Sequence, residues 1–241
     1  MFSRAREIYR QTRKPIDNFW TVYLSRPPAA LFVALLEKTR VTPNQITFLS
    51  VFVGLASAAF LALTREHLTL LAAALLFQLA YILDCVDGML ARARKTSSPQ
   101  GHLLDFLMDE LKALAFFGAA SLRLYFETGS VWFLLLGALG QVALASGLSL
   151  TTFLRRPEIA GPPPQSPAAP TARPLPIRFL EGIAKFLVHY PSYLLYVAIA
   201  NRLDLYFYAY LGVNLLYYAR SLLGLMLRFG RPEAPSETAR P

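Results

Sequence analysis

Four aspartates are the residues of this chain whose types and spacing best suit chemistry. Asp84 and Asp87 lie three residues apart, Asp105 and Asp109 four apart, and all four fall within 26 residues. On helices, the first spacing sets two side chains roughly 60° apart on one face, and the second sets them roughly 40° apart on the next. The intervening loop is short, so the two pairs can face each other. Four carboxylates gathered in one place repel unless a cation compensates, and hard divalent cations prefer oxygen ligands of this kind. Two such ions held by four aspartates would also hold a diphosphate, neutralise a leaving phosphate and orient an attacking oxygen. The competing arrangement pairs the acids with Arg92, Arg94, Lys95 and Lys112, three of which lie in or beside the loop. Gly88, directly after Asp87, and Ala91, one turn on, leave a groove where a flat base or a ribose could approach the backbone. Small residues also serve close helix packing in membranes. Gly101 either borders that groove or ends the loop.

The elements that must position these residues are hydrophobic helices. The chain has 241 residues, 55% of them hydrophobic and 16% charged. That share exceeds an ordinary soluble domain and fits an all-α membrane protein. A span needs about 20 mostly apolar residues, and six stretches qualify: 44–64, 67–91, 102–126, 131–154, 178–201 and 204–228. The aspartates thus sit at the ends of the second and third spans. Ionisable groups inside membranes usually face a functional cavity. Residues 1–43 form an N-terminal segment in which Arg26, Lys38 and Arg40 interleave with Phe19, Trp20, Tyr23, Phe32 and Leu35. That pattern predicts an amphipathic helix lying in the interface plane, started by Pro27 and Pro28. Thr42-Pro43-Asn44 reads as the next helix start. The domain organisation is then this segment, a six-helix unit over 44–228 and a disordered tail over 229–241. A flexible Pro-rich inner loop covers 157–176.

The formal net charge of +9 does not point to nucleic acid, because the basic residues flank apolar segments. In a membrane protein it marks cytoplasmic loops and contact with anionic lipid. Arg65, Arg123 and Arg202 in the outer turns are each offset by an acid, Glu66, Glu127 and Asp204, while the other turns and the termini are strongly basic. This bias puts both termini in the cytoplasm, with the aspartates on that side. No leader-type apolar run follows the basic start. The single cysteine, Cys85, allows no intrachain disulfide and reads as a packing residue.

The string D-x2-D-G-x2-A-R-x8-G-x3-D-x3-D, from Asp84 to Asp109, resembles the signature of the CDP-alcohol phosphatidyltransferase family with every fixed position filled. The interfacial helix, the six spans and the Pro43-Asn44-x-Ile46-Thr47 start of the first span resemble that family as well. The resemblance implies a membrane enzyme that moves a phospho-alcohol group from a CDP-alcohol, in the first instance CDP-diacylglycerol, to an alcohol acceptor in phospholipid biosynthesis, releasing CMP. Asp84, Asp87, Asp105 and Asp109 would ligate Mg2+ or Mn2+, two ions in all. Asp109 would take the proton of the acceptor hydroxyl, with Asp105 beside it in the catalytic set. Asp84, Asp87, Gly88, Ala91, Arg92 and Gly101 would line the CDP pocket. Asn44 would either join them or cap its helix. The resemblance also implies a homodimer in the bacterial inner membrane.

The acceptor is less determined. Lys112, Arg155 and Arg220 are candidates for an anionic acceptor pocket, because Lys112 shares a helix face with Asp109 and Arg220 sits inside an apolar span. Arg155 and Arg156 read more readily as helix-end anchors, whereas for Lys112 and Arg220 the two readings balance. A small CDP-alcohol used with a lipid or inositol-phosphate-type acceptor is the alternative within this class. His102 occupies a variable position of the signature, and His189, before Tyr190 and Pro191, reads as part of a kink. Outside the class, the aspartates also suit a membrane prenyltransferase or a cation transporter. The former lacks the Gly-x2-Ala-Arg continuation, and the latter places its ligands nearer the membrane midplane.

Overall fold

Proline and small residues decide where the helices of this chain begin and how closely they pack. The structure is a computed structural model and describes residues 1–12, 19–154, 156–160, 182–183, 186–187, 189 and 191–229. Among them every regular element is helical. The order is α1 (Phe2–Gln11), a widened π-type turn (Thr21–Ser25) running into α2 (Arg26–Leu36), α3 (Pro43–Leu63), α4 (His67–Ala93), α5 (Pro99–Thr128), α6 (Trp132–Leu154), the single turn α7 (Pro157–Ala160), α8 (Pro191–Ile199) and α9 (Leu203–Phe229). Proline sits in the first turn of α2, α3 and α5, where its missing N–H costs nothing. Gly129 ends α5 with φ 70°, a conformation glycine adopts freely.

Three of these helices, α3, α4 and α6, are long and apolar enough to cross a membrane. Helices α5 and α9 have the length, 30 and 27 residues, but a more polar composition. Of the stretch expected over 178–201, the continuous described helix is Pro191–Ile199. The first four residues of the expected loop form α7, and 161–176 lie outside the described residues, as does the tail from 230.

Helix α3 packs on both α4 and α5, and α6 packs on α5 and α9. Small residues allow the α3–α4 approach: Ser50 Oγ donates to Ala80 O at 2.9 Å and Ser57 Oγ to Ala73 O at 2.7 Å. One buried apolar cluster unites Phe77, Phe116, Phe117, Tyr206 and Phe207 across α4, α5 and α9. A second joins Ile8, Ala30, Val33, Val86, Met89 and Leu90, so α1 and α2 lie against the C-terminal half of α4. Arg94 locks that end by donating to the carbonyls of Leu36, Glu37, Thr39 and Val41. At the opposite end Arg123, fully buried, donates to Arg65 O at 2.8 Å, Glu66 O at 2.9 Å and Glu127 Oε1 at 2.6 Å, tying α5 to the turn between α3 and α4.

Candidate active site

The chain reverses direction at Leu63–His67 and again after Ala93, so the start of α3, the end of α4 and the start of α5 meet at one end of the bundle. Each terminus is closed locally. Thr42 Oγ1 accepts from Gln45 N at 3.3 Å and Gln45 Oε1 accepts from Thr42 N at 2.9 Å, a reciprocal cap for α3. Asn44 is therefore not the cap. Lys95, with φ 56°, turns the chain out of α4, and Thr96 N donates back to Ala91 O at 2.8 Å. Ser98 Oγ then accepts from Gly101 N at 3.0 Å to open α5.

These closures bring the four aspartates together. One carboxylate oxygen each from Asp84, Asp105 and Asp109 lies within 4.8 Å of the other two. Asp87 is buried, at 4% exposure, and Thr47 Oγ1 of α3 donates to its Oδ2. Lys112 Nζ lies 2.7 Å from both Asp84 Oδ1 and Asp109 Oδ1, and 2.9 Å from Ser50 Oγ. The proposed pairing of acids with basic residues is thus realised by Lys112, while Arg94 spends its donors on backbone carbonyls. One ammonium bridging two carboxylates, with Asp105 close to both, leaves negative charge that a further cation would offset. The all-oxygen donor set, converging from two helices, fits a hard divalent cation such as Mg2+ or Mn2+.

The acid cluster separates two cavities. The smaller, about 220 Å³, is polar, and Asn44, Asp87, Gly88, Ala91, Arg92 and Gly101 all line it. Asp84 does not, whereas Thr47, His102 and Asp105 do. Arg92 folds back over Gly88, where an added Cβ would stand 3.3 Å from its Nη1. Its Nε is buried without a hydrogen-bond partner among the described residues. The larger cavity, about 380 Å³, is bounded by Asp109, Glu110 and Lys112 on α5, Phe77 and Tyr81 on α4, Leu144 and Leu148 on α6, and Tyr210 and Tyr217 on α9. Its polar edge is a short chain of contacts: Thr21 Oγ1 to Tyr81 Oη at 2.6 Å and Tyr81 Oη to His189 Nε2 at 2.7 Å.

Several sequence-based expectations shift. Lys112 lines the larger cavity, but its ammonium is committed to Asp84, Asp109 and Ser50, so it is not a free anion ligand. Arg220 is exposed and lines neither cavity; past Val213, the last buried residue of α9, it is Asn214 and Tyr217 that reach the larger cavity. Arg155 lies outside the described residues. His189, read as part of a kink, faces the larger cavity. Sequence reasoning gave no site role to Thr47, Ser50, Gly54 or Tyr81. The one available signal was helical phase: Tyr81 precedes Asp84 by three residues, and Ser50 and Gly54 follow Thr47 at helix spacing.

Membrane-length apolar helices with an oxygen-rich acid cluster at one end, between two cavities, define an integral membrane protein with a metal-type site. Residues 40–203 match the family described as CDP-alcohol phosphatidyltransferase, and the chain belongs to that family. Membership speaks against the prenyltransferase and transporter readings. Among curated proteins the chain is similar to a "Bifunctional IPC transferase and DIPP synthase" of Thermococcus kodakarensis, 36% identical over 93 residues, which is 39% of this chain and 20% of the relative. A protein of the same description from Rubrobacter xylanophilus is 41% identical over 74 residues, 31% of this chain and 16% of the relative. The similarity therefore spans a minor part of each relative.

Proposed function

We propose that this chain transfers a phospho-alcohol group from a CDP-alcohol to the hydroxyl of an alcohol acceptor, with release of CMP. The observation that supports this best is the position of the acid cluster: Asp87 and Asp105 face the polar cavity, and Asp109 faces the larger, more apolar one. A CDP group in the polar cavity sets its ribose and base against Gly88 and Ala91, with Arg92 and its buried Nε toward the diphosphate. Asp84, Asp87, Asp105 and Asp109 would hold one or two Mg2+ or Mn2+ ions. When bound, such ions supply charge neutralisation for the diphosphate and the departing phosphate.

The acceptor occupies the larger cavity. The Asp109 carboxylate takes the proton of its hydroxyl. The acceptor oxygen forms a bond to the phosphorus that carries the donor's alcohol. The bond from that phosphorus to the bridging oxygen breaks, and CMP leaves with the electron pair. The side chain of Asp109 is 48% exposed, which suits an acid that meets an exchanging substrate. Tyr81 and His189 offer hydroxyl-binding groups in the lining of the same cavity.

The names of the two relatives do not mention diacylglycerol, so the donor is proposed at the level of a CDP-alcohol. The chain lies in the membrane with six spans, as a homodimer, with the acid cluster on the cytoplasmic side of a bacterial inner membrane. Charge supports this orientation. Lys38, Arg40, Arg92, Arg94 and Lys95 gather at the acid end, while Arg123 and Arg202 at the other end are each matched by an acid at 2.6 Å and 2.8 Å. The test offers the purified protein CDP-diacylglycerol and small CDP-alcohols with a panel of alcohols, following CMP. Metal-dependent CMP release that requires one donor and one alcohol is expected. Pyrophosphate release or ion flux without CMP would overturn the reading.

A further inference from the structure

Transfer chemistry does not account for the placement of Lys112. It lies on α5 one turn past Asp109, yet its side chain crosses toward α3 and α4 and is 4% exposed. An ammonium has three N–H donors, and Asp84 Oδ1, Asp109 Oδ1 and Ser50 Oγ provide three acceptors at 2.7, 2.7 and 2.9 Å. Room for the stem comes from Gly54, where an added Cβ would stand 2.8 Å from Lys112 Cγ and 3.0 Å from Cδ. Three helices thus contribute to one lysine. Burying an ammonium this completely is costly unless such partners fix it.

Two of those partners, Asp84 and Asp109, also belong to the trio whose oxygens lie within 4.8 Å of one another. An ammonium and a divalent cation drawing on that pair would stand within a few ångströms of each other, where like charges repel. We propose that Lys112 is a resident counter-ion of the acid cluster: it holds Asp84 and Asp109 together before metal arrives and competes with a divalent cation for them. The ion that uses Asp84, Asp105 and Asp109 is then the weaker of the two. This rests on reading the aspartates as metal ligands.

The test measures Mn2+ binding to purified protein without substrate, by the electron paramagnetic resonance of free Mn2+. The protein should bind one ion tightly and a second weakly or not at all. Lys112→Met should tighten or newly add the second ion, by about tenfold or more. Gly54→Ala keeps the charge but displaces the stem, and should shift the second ion the same way by a smaller factor. Thermal unfolding gives a separate readout: Lys112→Met should melt below the parent without metal and gain more on Mn2+ addition. A second-ion affinity unchanged or lowered in both variants overturns the proposal and leaves the metal reading standing. No Mn2+ bound by the parent protein overturns both.

Discussion

Replacing Thr47 with valine removes one hydrogen bond and almost nothing else. Thr47 and Asp87 are each 4% exposed, so the bond is largely shielded although both residues line the polar cavity. The hydroxyl has one proton and two acceptors in reach, Asp87 Oδ2 and the backbone oxygen of Pro43 at 3.3 Å. A helical threonine usually bonds the carbonyl four residues back, but here the nearer partner is the carboxylate. Valine has the same shape, so packing is retained while Asp87 loses the donor that orients it. A hydrogen bond to a charged group contributes about 1.5–3 kcal/mol. At about 1.4 kcal/mol per decade, Thr47→Val should weaken metal-dependent turnover by about 10- to 100-fold. CMP release measured against Mg2+ concentration reads this out, with the half-saturating Mg2+ concentration rising. Thr47→Ser, which keeps the hydroxyl, should stay close to the parent. A valine variant within twofold of the parent in both Mg2+ dependence and rate would refute the reasoning.

Three further outcomes are expected. Asp109→Asn should retain CDP binding by equilibrium dialysis while CMP release falls about 10²- to 10⁴-fold, the usual share of a general base; full-rate turnover would exclude Asp109 from that role. Arg123→Met strips the hydrogen bonds that tie α5 to the α3–α4 turn and leaves Glu127 without its partner. It should cost about 3 kcal/mol of stability, seen as a lower melting temperature in detergent, and an unchanged melting temperature would deny the clamp. The Arg4 guanidinium bonded to Glu37 holds the Glu37 carboxyl below the usual carboxylate range. A group depressed on folding stabilises fully above its unfolded pKa and loses that contribution as pH falls through its folded value. Protection of the α1 amides, measured relative to their intrinsic exchange rate at each pH, should therefore fall in acid, and Arg4→Ala should flatten that dependence; α1 protection factors that do not change with pH in the parent would contradict it.

The aspartates were legible because their information is local. Two pairs at helix spacing, each at the end of an apolar run, suffice to predict an acid cluster at one end of a hairpin, and the boundaries of α3 and α4 follow from Pro43, His67 and the charged residues after Ala93. The polar cavity was legible for the same reason, since most of its lining comes from the signature itself. What was not legible depends on a third helix. Lys112 shares a face with Asp109, but its other partners, Asp84 and Ser50, and its channel at Gly54 come from α4 and α3, which no spacing along α5 reveals. The cap of α3 was readable from Thr42 and Gln45, yet Asn44 competes for that role on composition alone. Arg220 is a candidate acceptor ligand on sequence because an apolar stretch surrounds it. Full burial along α9 stops at Val213, and beyond it the helix meets the larger cavity through Asn214 and Tyr217, a cavity that Arg220 does not line. His189 lacked any local signal, because its partner Tyr81 is 108 residues away.

The most direct measurement is a structure determined with Mn2+ and CDP, using manganese anomalous scattering. The account predicts a manganese peak among Asp84, Asp87, Asp105 and Asp109, with the cytidine ribose against Gly88 and Ala91 and the diphosphate turned toward Arg92. Manganese elsewhere, or CDP bound away from the cavity between the start of α3 and the end of α4, would contradict it.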